Sequence, residues 1–197
     1  MILCVDSSSR FLSFALATDV EGNRRLVGTA SFDVGGKMNE NVITLLDDLL
    51  SNNHIKIDQI SKIVVITGPG SFTGIRIGLA ALGGIATAMN IEFKGLSSLD
   101  AAAVLAKSDS VSVAAKLKLN EYAIRQYNFV ENIFSDVIIV DKSEIDSKCV
   151  VVGESFALHS LPEAISDVCA DNFLQPPAPL YVRKSEAEIN FDKKSLV

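Results

Sequence analysis

One stretch, Lys62 to Met89, constrains what this chain folds into more than any other. Ile63 to Ile66 is a continuous β-branched run, the pattern of a strand covered on both faces. Gly68-Pro69-Gly70 stops it, because proline fixes φ and removes a donor while glycine permits positive φ. Ser71 or Thr73 is then placed to cap a helix. From Thr73 to Met89, Ile75, Leu79, Leu82, Ile85 and Met89 recur at three- and four-residue spacing and define one helical face. A strand, a tight turn and a helix in that order predict an α/β protein.

The other residues of this helix are small. Gly74, Gly78, Ala80, Ala81, Gly84 and Ala88 fall in rows along it. A helical glycine costs roughly 1 kcal/mol relative to alanine, so close approach of another backbone must offset the loss. That backbone belongs either to the same chain or to a second protein. In the second case Gly78→Leu blocks pairing and leaves the fold intact. The uncharged part is shorter than the ~20 residues of a membrane span, which argues against insertion. The Gly-Pro-Gly turn also suggests anion binding at a helix N-terminus. However, Gly70 to Arg76 lacks the spacing and the lysine of a P-loop.

Composition narrows the function. The net charge is −6, with a pI near 4.9, a poor match to a protein that grips nucleic acid unaided. Cys4, Cys149 and Cys169 are too few and too scattered for a disulfide framework or a zinc site, and the first two lie in apolar core-like runs. His54 and His159 are far apart and neither has a histidine partner at i+4, so no metal site is expected. Asp6 interrupts the first apolar run, unlike a signal peptide, and a reduced, cytoplasmic protein is the expectation.

Along the chain, Ile2 to Val5 reads as a strand, Asp6 to Ser9 as a turn, and Phe11 to Thr18 and Arg25 to Val34 as further strands. A helix spans about Asn39 to Ser51, capped by Asn39 or Asn41, with Val42, Leu45, Leu46, Leu49 and Leu50 on its apolar face. Glu92 to Leu96 is a strand, and Ser97 or Ser98 caps a helix running to Lys107. In the second half, strands are expected at Val111 to Ala115, Glu121 to Val130, Val137 to Val140 and Cys149 to Val152. Short helices are expected at Glu154 to His159 and Leu161 to Ala170. Gln175 to Pro179 is extended, and from Lys184 the tail has the charged, polar composition of partly disordered segments.

Three motifs carry a family resemblance. Gly68-Pro-Gly-Ser-Phe-Thr-Gly-Ile-Arg-Ile-Gly-Leu-Ala, the opening Met1-Ile-Leu-Cys-Val-Asp-Ser-Ser-Ser, and Pro179-Leu-Tyr-Val-Arg resemble the signatures of the TsaB (YeaZ) family. Ser97-Ser-Leu-Asp-Ala-Ala fits as well. The resemblance implies an actin/Hsp70/sugar-kinase-like (ASKHA) α/β fold of two lobes, with mixed sheets flanked by helices. Residues 1–98 would form the lobe that carries the partner-binding helices, and 99–197 a smaller, divergent lobe. The chain departs from the family at two places. Met38-Asn39-Glu40 stands where His-Ser-Glu is usual, and Lys116-Leu117-Lys118 where Asp-Ala-Arg is usual.

By resemblance this is a non-catalytic subunit. It pairs with a TsaD-type catalytic paralogue in a complex that, with a TsaE-type ATPase, makes N6-threonylcarbamoyladenosine in tRNA. The resemblance implies that ATP and metal act through TsaD and TsaE, that the tRNA is met indirectly, and that the chain can form a homodimer when alone. The implied interface residues are Val42, Leu45, Leu46, Leu49, Thr73, Gly74, Arg76, Ile77, Gly78 and Ala81. In active members of the fold the first turn wraps a nucleotide phosphate. Asp6, Ser7 and Ser8 hold that place here, but with no second acidic motif in the chain Asp6 reads first as a turn residue bonding its own backbone. The alternative function is a stand-alone nucleotide-binding phosphotransferase or ATPase, or a glycoprotease-like hydrolase. Phosphoryl transfer needs a second phosphate loop and a metal carboxylate, and hydrolysis needs a nucleophile with its base; neither set is identifiable.

Overall fold

The computed structural model describes residues 1–35, 37–153 and 158–182. The first half builds a five-stranded mixed sheet. Strands β1 (Ile2–Asp6), β2 (Phe11–Val20) and β3 (Asn23–Asp33) form an antiparallel meander. The β2–β3 turn, Glu21-Gly22, has positive φ at both residues, the two-residue geometry that matches strand twist. Helix α1 (Met38–Asn52) leads to β4 (Lys62–Ile66), which pairs parallel to β1. Helix α2 (Phe72–Met89) is the crossover that brings β5 (Glu92–Leu96) parallel to β4. The strand order is β3-β2-β1-β4-β5.

The period of two splits this sheet into two apolar faces. Leu3 and Val5 of β1, Leu12, Phe14 and Leu16 of β2, and Ile63 and Val65 of β4 face one way. They are covered by Val42, Leu46, Leu49 and Leu50 of α1 and by Leu82 and Ala86 of α2. Ile2, Cys4, Ala15, Ala17, Val64 and Ile66 face the other way, onto helix α3 (Ser98–Ala106) and the 3₁₀ segment Leu158–Ser166. The alanines on this side, Ala15 and Ala17 against Ala101, Ala102 and Ala103, let the layers approach closely.

The same core continues into a second sheet. It comprises β6 (Ser110–Lys118), β7 (Glu121–Asn128), β8 (Ile133–Phe134), β9 (Ile138–Asp141) and β10 (Val150–Val152). The order is β10-β6-β7-β8, with β9 also on β7. Val113, Ala115, Ala123 and Tyr127 of this sheet share one cluster with Ile2 and Cys4 of the first. Polar ties reinforce it. Asp100 Oδ1 of α3 accepts from the Arg125 guanidinium and the Tyr127 hydroxyl of β7, both at 2.7 Å. The Arg24 side chain, 4% exposed, pairs with Asp19 at 2.9 Å and with Asp171 at 2.6 Å.

Several expectations change. The segment expected as a helix over Leu161 to Ala170 is 3₁₀, in two pieces, Leu158–Ser166 and Val168–Phe173, with Pro162 inside the first. A proline removes a donor and resists an α-helical turn. Neither Asn39 nor Asn41 caps α1: Lys37 is the N-cap and its side chain makes no cap bond, while Asn41 Nδ2 donates to the Lys37 carbonyl. Ser71 does cap α2, accepting from Gly74 N at 3.2 Å. The expected helix beginning at Glu154 falls largely, and the tail from Lys184 wholly, outside the described residues.

The glycines of α2 have different reasons to be there. A Cβ on Gly74 would lie 2.0 Å from the Ser7 carbonyl oxygen, and one on Gly78 would lie 2.2 Å from Ser7 Oγ. At Gly84 nothing lies within 4 Å. Gly74→Ala is therefore expected to destabilise the chain by about 1–3 kcal/mol through overpacking. Gly84→Ala is expected to stabilise it by up to about 1 kcal/mol. Urea denaturation of the two variants checks this, and equal effects would contradict the packing on Ser7.

Candidate functional site: the β1–β2 turn and the outer face of α2

Two turns meet at the C-terminal ends of β1 and β4. The Ser71 amide donates to the Ser8 carbonyl at 2.6 Å. Ser7 Oγ donates to the Gly74 carbonyl at 2.9 Å. Asp6 Oδ1 accepts from the Ser8 amide at 2.7 Å, so Asp6 does bond its own turn. Ser98 Oγ of α3 donates to the Pro69 carbonyl at 2.9 Å and closes the junction from the far side.

As placed, Asp6, Ser7 and Ser8 do not form an open phosphate cradle. They are 1%, 0% and 6% exposed, and their polar groups are spent on the chain itself. The physical reason is the close approach of α2, whose glycines let its backbone settle onto the turn. One atom stands apart. Asp6 Oδ2 is buried with no hydrogen-bond partner among the described residues. Desolvation raises the Asp6 pKa from 3.8 to about 6, partly opposed by the Ser8 bonds. No cluster of three metal-ligating side chains occurs among the described residues.

The residues implied as a partner interface divide into two groups. Val42, Leu46 and Leu49 of α1 are 2%, 3% and 5% exposed and pack on the sheet. Gly74 and Gly78 are buried against Ser7. These five point inward, because the apolar stripe of a helix on a sheet is first of all its core stripe. Gly78→Leu would accordingly disrupt the fold and cannot isolate pairing. Leu45, Ile77 and Ala81 are half-buried at the margin of the same core. Only Thr73 and Arg76 of the set are exposed.

The outward surface is made of other residues. On α2 it includes Phe72, Thr73, Arg76, Ala80, Gly84, Thr87, Ala88 and Met89, and on the adjacent α1 it includes Ile43, Thr44, Asp47 and Asp48. Ile43 is 51% exposed. The α2 helix has 18 residues and a mean hydropathy of 1.4, enough by length and composition for a short membrane span. In this fold its inner residues Ile75, Leu82 and Ala86 are buried.

Sequence reasoning did not bring together Arg76, Phe72 and Tyr181. Arg76 Nε donates to the Tyr181 hydroxyl oxygen at 3.0 Å, and its guanidinium lies 3.8 Å from the Phe72 ring centroid. The only signal was that both partners belong to the motifs at 68–80 and 179–183. The departure at Met38 has a plain structural content: the side chain is 4% exposed within the α1 core, where a histidine would have to be desolvated. Lys116 lies exposed on β6. His54 is an exposed residue just past α1, with positive φ.

Comparison with known proteins agrees with this geometry. The α/β arrangement, two mixed sheets with flanking helices, is the fold of solved YeaZ structures. An uncharacterized protein with similarity to peptidase YeaZ from Pseudomonas aeruginosa superposes with a TM-score of 0.71 at 17% identity, covering 92% of this chain and 99% of that one. YeaZ from Pseudomonas aeruginosa gives 0.60 at 20% identity, covering 74% and 68%. The family model for TsaD, tRNA N6-adenosine threonylcarbamoyltransferase, matches residues 35–117. The TsaB protein of Bacillus subtilis is 33% identical over 101 residues, covering 50% of this chain and 42% of that protein. The chain is thus similar to TsaB (YeaZ) and TsaD proteins over part of its length. It spans about two fifths of the length of TsaB proteins it matches.

The buried Asp6 supplies a pH test. A raised folded-state pKa means that its stabilising contribution is complete below the ordinary pKa of 3.8 and is lost as pH rises through about 6. Asp6→Asn keeps an acceptor for the Ser8 amide and removes the buried charge. Its melting temperature is expected to exceed that of the wild type above about pH 7, with the gap closing below about pH 4. A gap that does not change with pH would mean that the Asp6 pKa is the same in the folded and unfolded chain.

Proposed function

We propose that this chain is the non-catalytic activating subunit that pairs with a TsaD-type transferase for N6-threonylcarbamoyladenosine modification of tRNA. The observation that carries the reading is the outer face of α2. It is nearly uncharged, with small residues between Phe72 and Met89 at its ends, and Gly84 sits in mid-helix with open space where a side chain would be, a loss of helix stability with no compensation among the described residues. Close approach of a partner backbone supplies that compensation. The relatives' names point to the same pathway.

In this reading TsaE and ATP act elsewhere in the complex, tRNA is contacted mainly by the other subunits, and the site of action is the cytoplasm. The acidic net charge of −6 agrees with a secondary role at the RNA. Residues 1–98 act as the partner-binding lobe and 99–197 as the smaller lobe. When the partner is missing, the same face pairs two copies, so homodimer and heterodimer compete for one surface. A stand-alone nucleotide-dependent enzyme is the second reading, and the unpartnered Asp6 oxygen is what favours it.

The test is a reconstitution with a TsaD-type protein, TsaE, tRNA, ATP and threonylcarbamoyl-adenylate. Modification and a heterodimer on size exclusion are both expected to require this chain. Gly84→Leu and Ala80→Arg, both on exposed positions, are expected to weaken pairing at least about tenfold without lowering the melting temperature. Full modification in the chain's absence, or ATP turnover by the chain alone, would favour the second reading.

A further inference from the structure

Arg76 is the only charged residue between Lys62 and Glu92. It stands exposed on the outer face of α2, yet it is held in place. Besides the Tyr181 hydrogen bond, its guanidinium stacks at 3.8 Å on Phe72 and lies 5.8 Å from the Tyr181 ring centroid. The two rings are 5.3 Å apart, and they remain 39% and 52% exposed. Tyr181 is itself positioned by the chain end. Gln175 exchanges backbone hydrogen bonds with Gly95 at 2.8 and 2.9 Å, and the Leu180 amide donates to the Thr67 carbonyl at 2.9 Å.

The hydrogen-bond inventory fixes what such a cluster accepts. Arg76 Nε is used, and the Tyr181 oxygen receives it. What is left to the surface is the terminal guanidinium N–H groups and the Tyr181 O–H, all donors. No carboxylate pairs with Arg76 among the described residues. A cation with only donors calls for an anionic acceptor. A carboxylate fits better than a nucleic-acid phosphate, because the chain's net charge of −6 opposes polyanions. Prior ordering of the guanidinium removes much of the entropy cost that a long side chain incurs on binding.

We propose that Phe72, Arg76 and Tyr181 form a preassembled anchor for a carboxylate side chain of the catalytic partner, with Tyr181 as the positioning residue for Arg76. The proposal rests on the pairing reading above, and it makes the segment from Gln175 to Tyr181 part of the interface.

The experiment measures heterodimer affinity by calorimetry for the full chain and for Arg76→Gln, Tyr181→Phe and the double variant, across a salt series. Melting temperatures serve as the check on folding. Arg76→Gln is expected to weaken pairing about 10–100-fold and to flatten its salt dependence. Tyr181→Phe loses about 3–10-fold in the wild-type background and nothing further in Arg76→Gln, because its hydroxyl acts through the guanidinium. If the wild type pairs and both single variants pair equally well, or if the two losses simply add, the anchor is overturned while the pairing reading stands. Loss of tRNA binding or of self-association with heteropairing intact would assign the cluster to a phosphate or to a second copy, and would also overturn it. Failure of the wild type to pair removes the reading and the anchor together.

Discussion

The contact between the Ser7 turn and the backbone of α2 is what the rest of this structure depends on. The Ser7 carbonyl and hydroxyl occupy the space that side chains at positions 74 and 78 would fill. Two interior glycines weaken an isolated helix by roughly 2 kcal/mol. In return the helix lies close enough for Leu82 and Ala86 to reach the sheet, and burial of a leucine alone is worth roughly 1.5–3 kcal/mol. The same approach buries Asp6, Ser7 and Ser8. One packing decision therefore stabilises the first sheet and fills the space above the turn.

The inner face of α2 is packed on the sheet, and the composition of its outer face departs from that of an ordinary solvated helix. A globular helix turns charged residues outward. Here the outward residues of α2 are Phe72, Thr73, Ala80, Gly84, Thr87, Ala88 and Met89, with Arg76 as the single charge. Asp47 and Asp48 on the outer side of α1 supply the opposite sign nearby.

Much of the fold could be read from residue order because its signals are local. The β-branched run of β4, the alternation in β2 and the Ser71 cap each lie within a few residues and match the observed elements. What escaped was non-local or ambiguous. The two-residue strand β8 is too short to show a period. The Asp100–Arg125–Tyr127 cluster joins positions 25 and 27 residues apart, and Arg76–Tyr181 joins positions 105 apart. Val42, Leu46 and Leu49 lie in the chain's own core for a physical reason. An apolar stripe marks the buried side of a helix but does not say whether a sheet or a second protein buries it. Leu45 and Ile77 sit half-buried at the edge of that stripe.

The shared core has a consequence for how the chain is made. Ile2, Cys4, Ala15 and Ala17 belong to β1 and β2, and their cover includes the much later Leu161, Ile165 and Phe173. On the ribosome, the face of the first sheet under α1 and α2 can assemble once α2 has emerged. Its opposite face is covered only in part, by α3, until Leu161 to Phe173 have been synthesised. For that interval the nascent chain carries an apolar surface of the kind that chaperones bind and that drives misassembly. Slow translation across β6 to β10 would prolong this exposure, so synthesis of the second half governs the yield of the first.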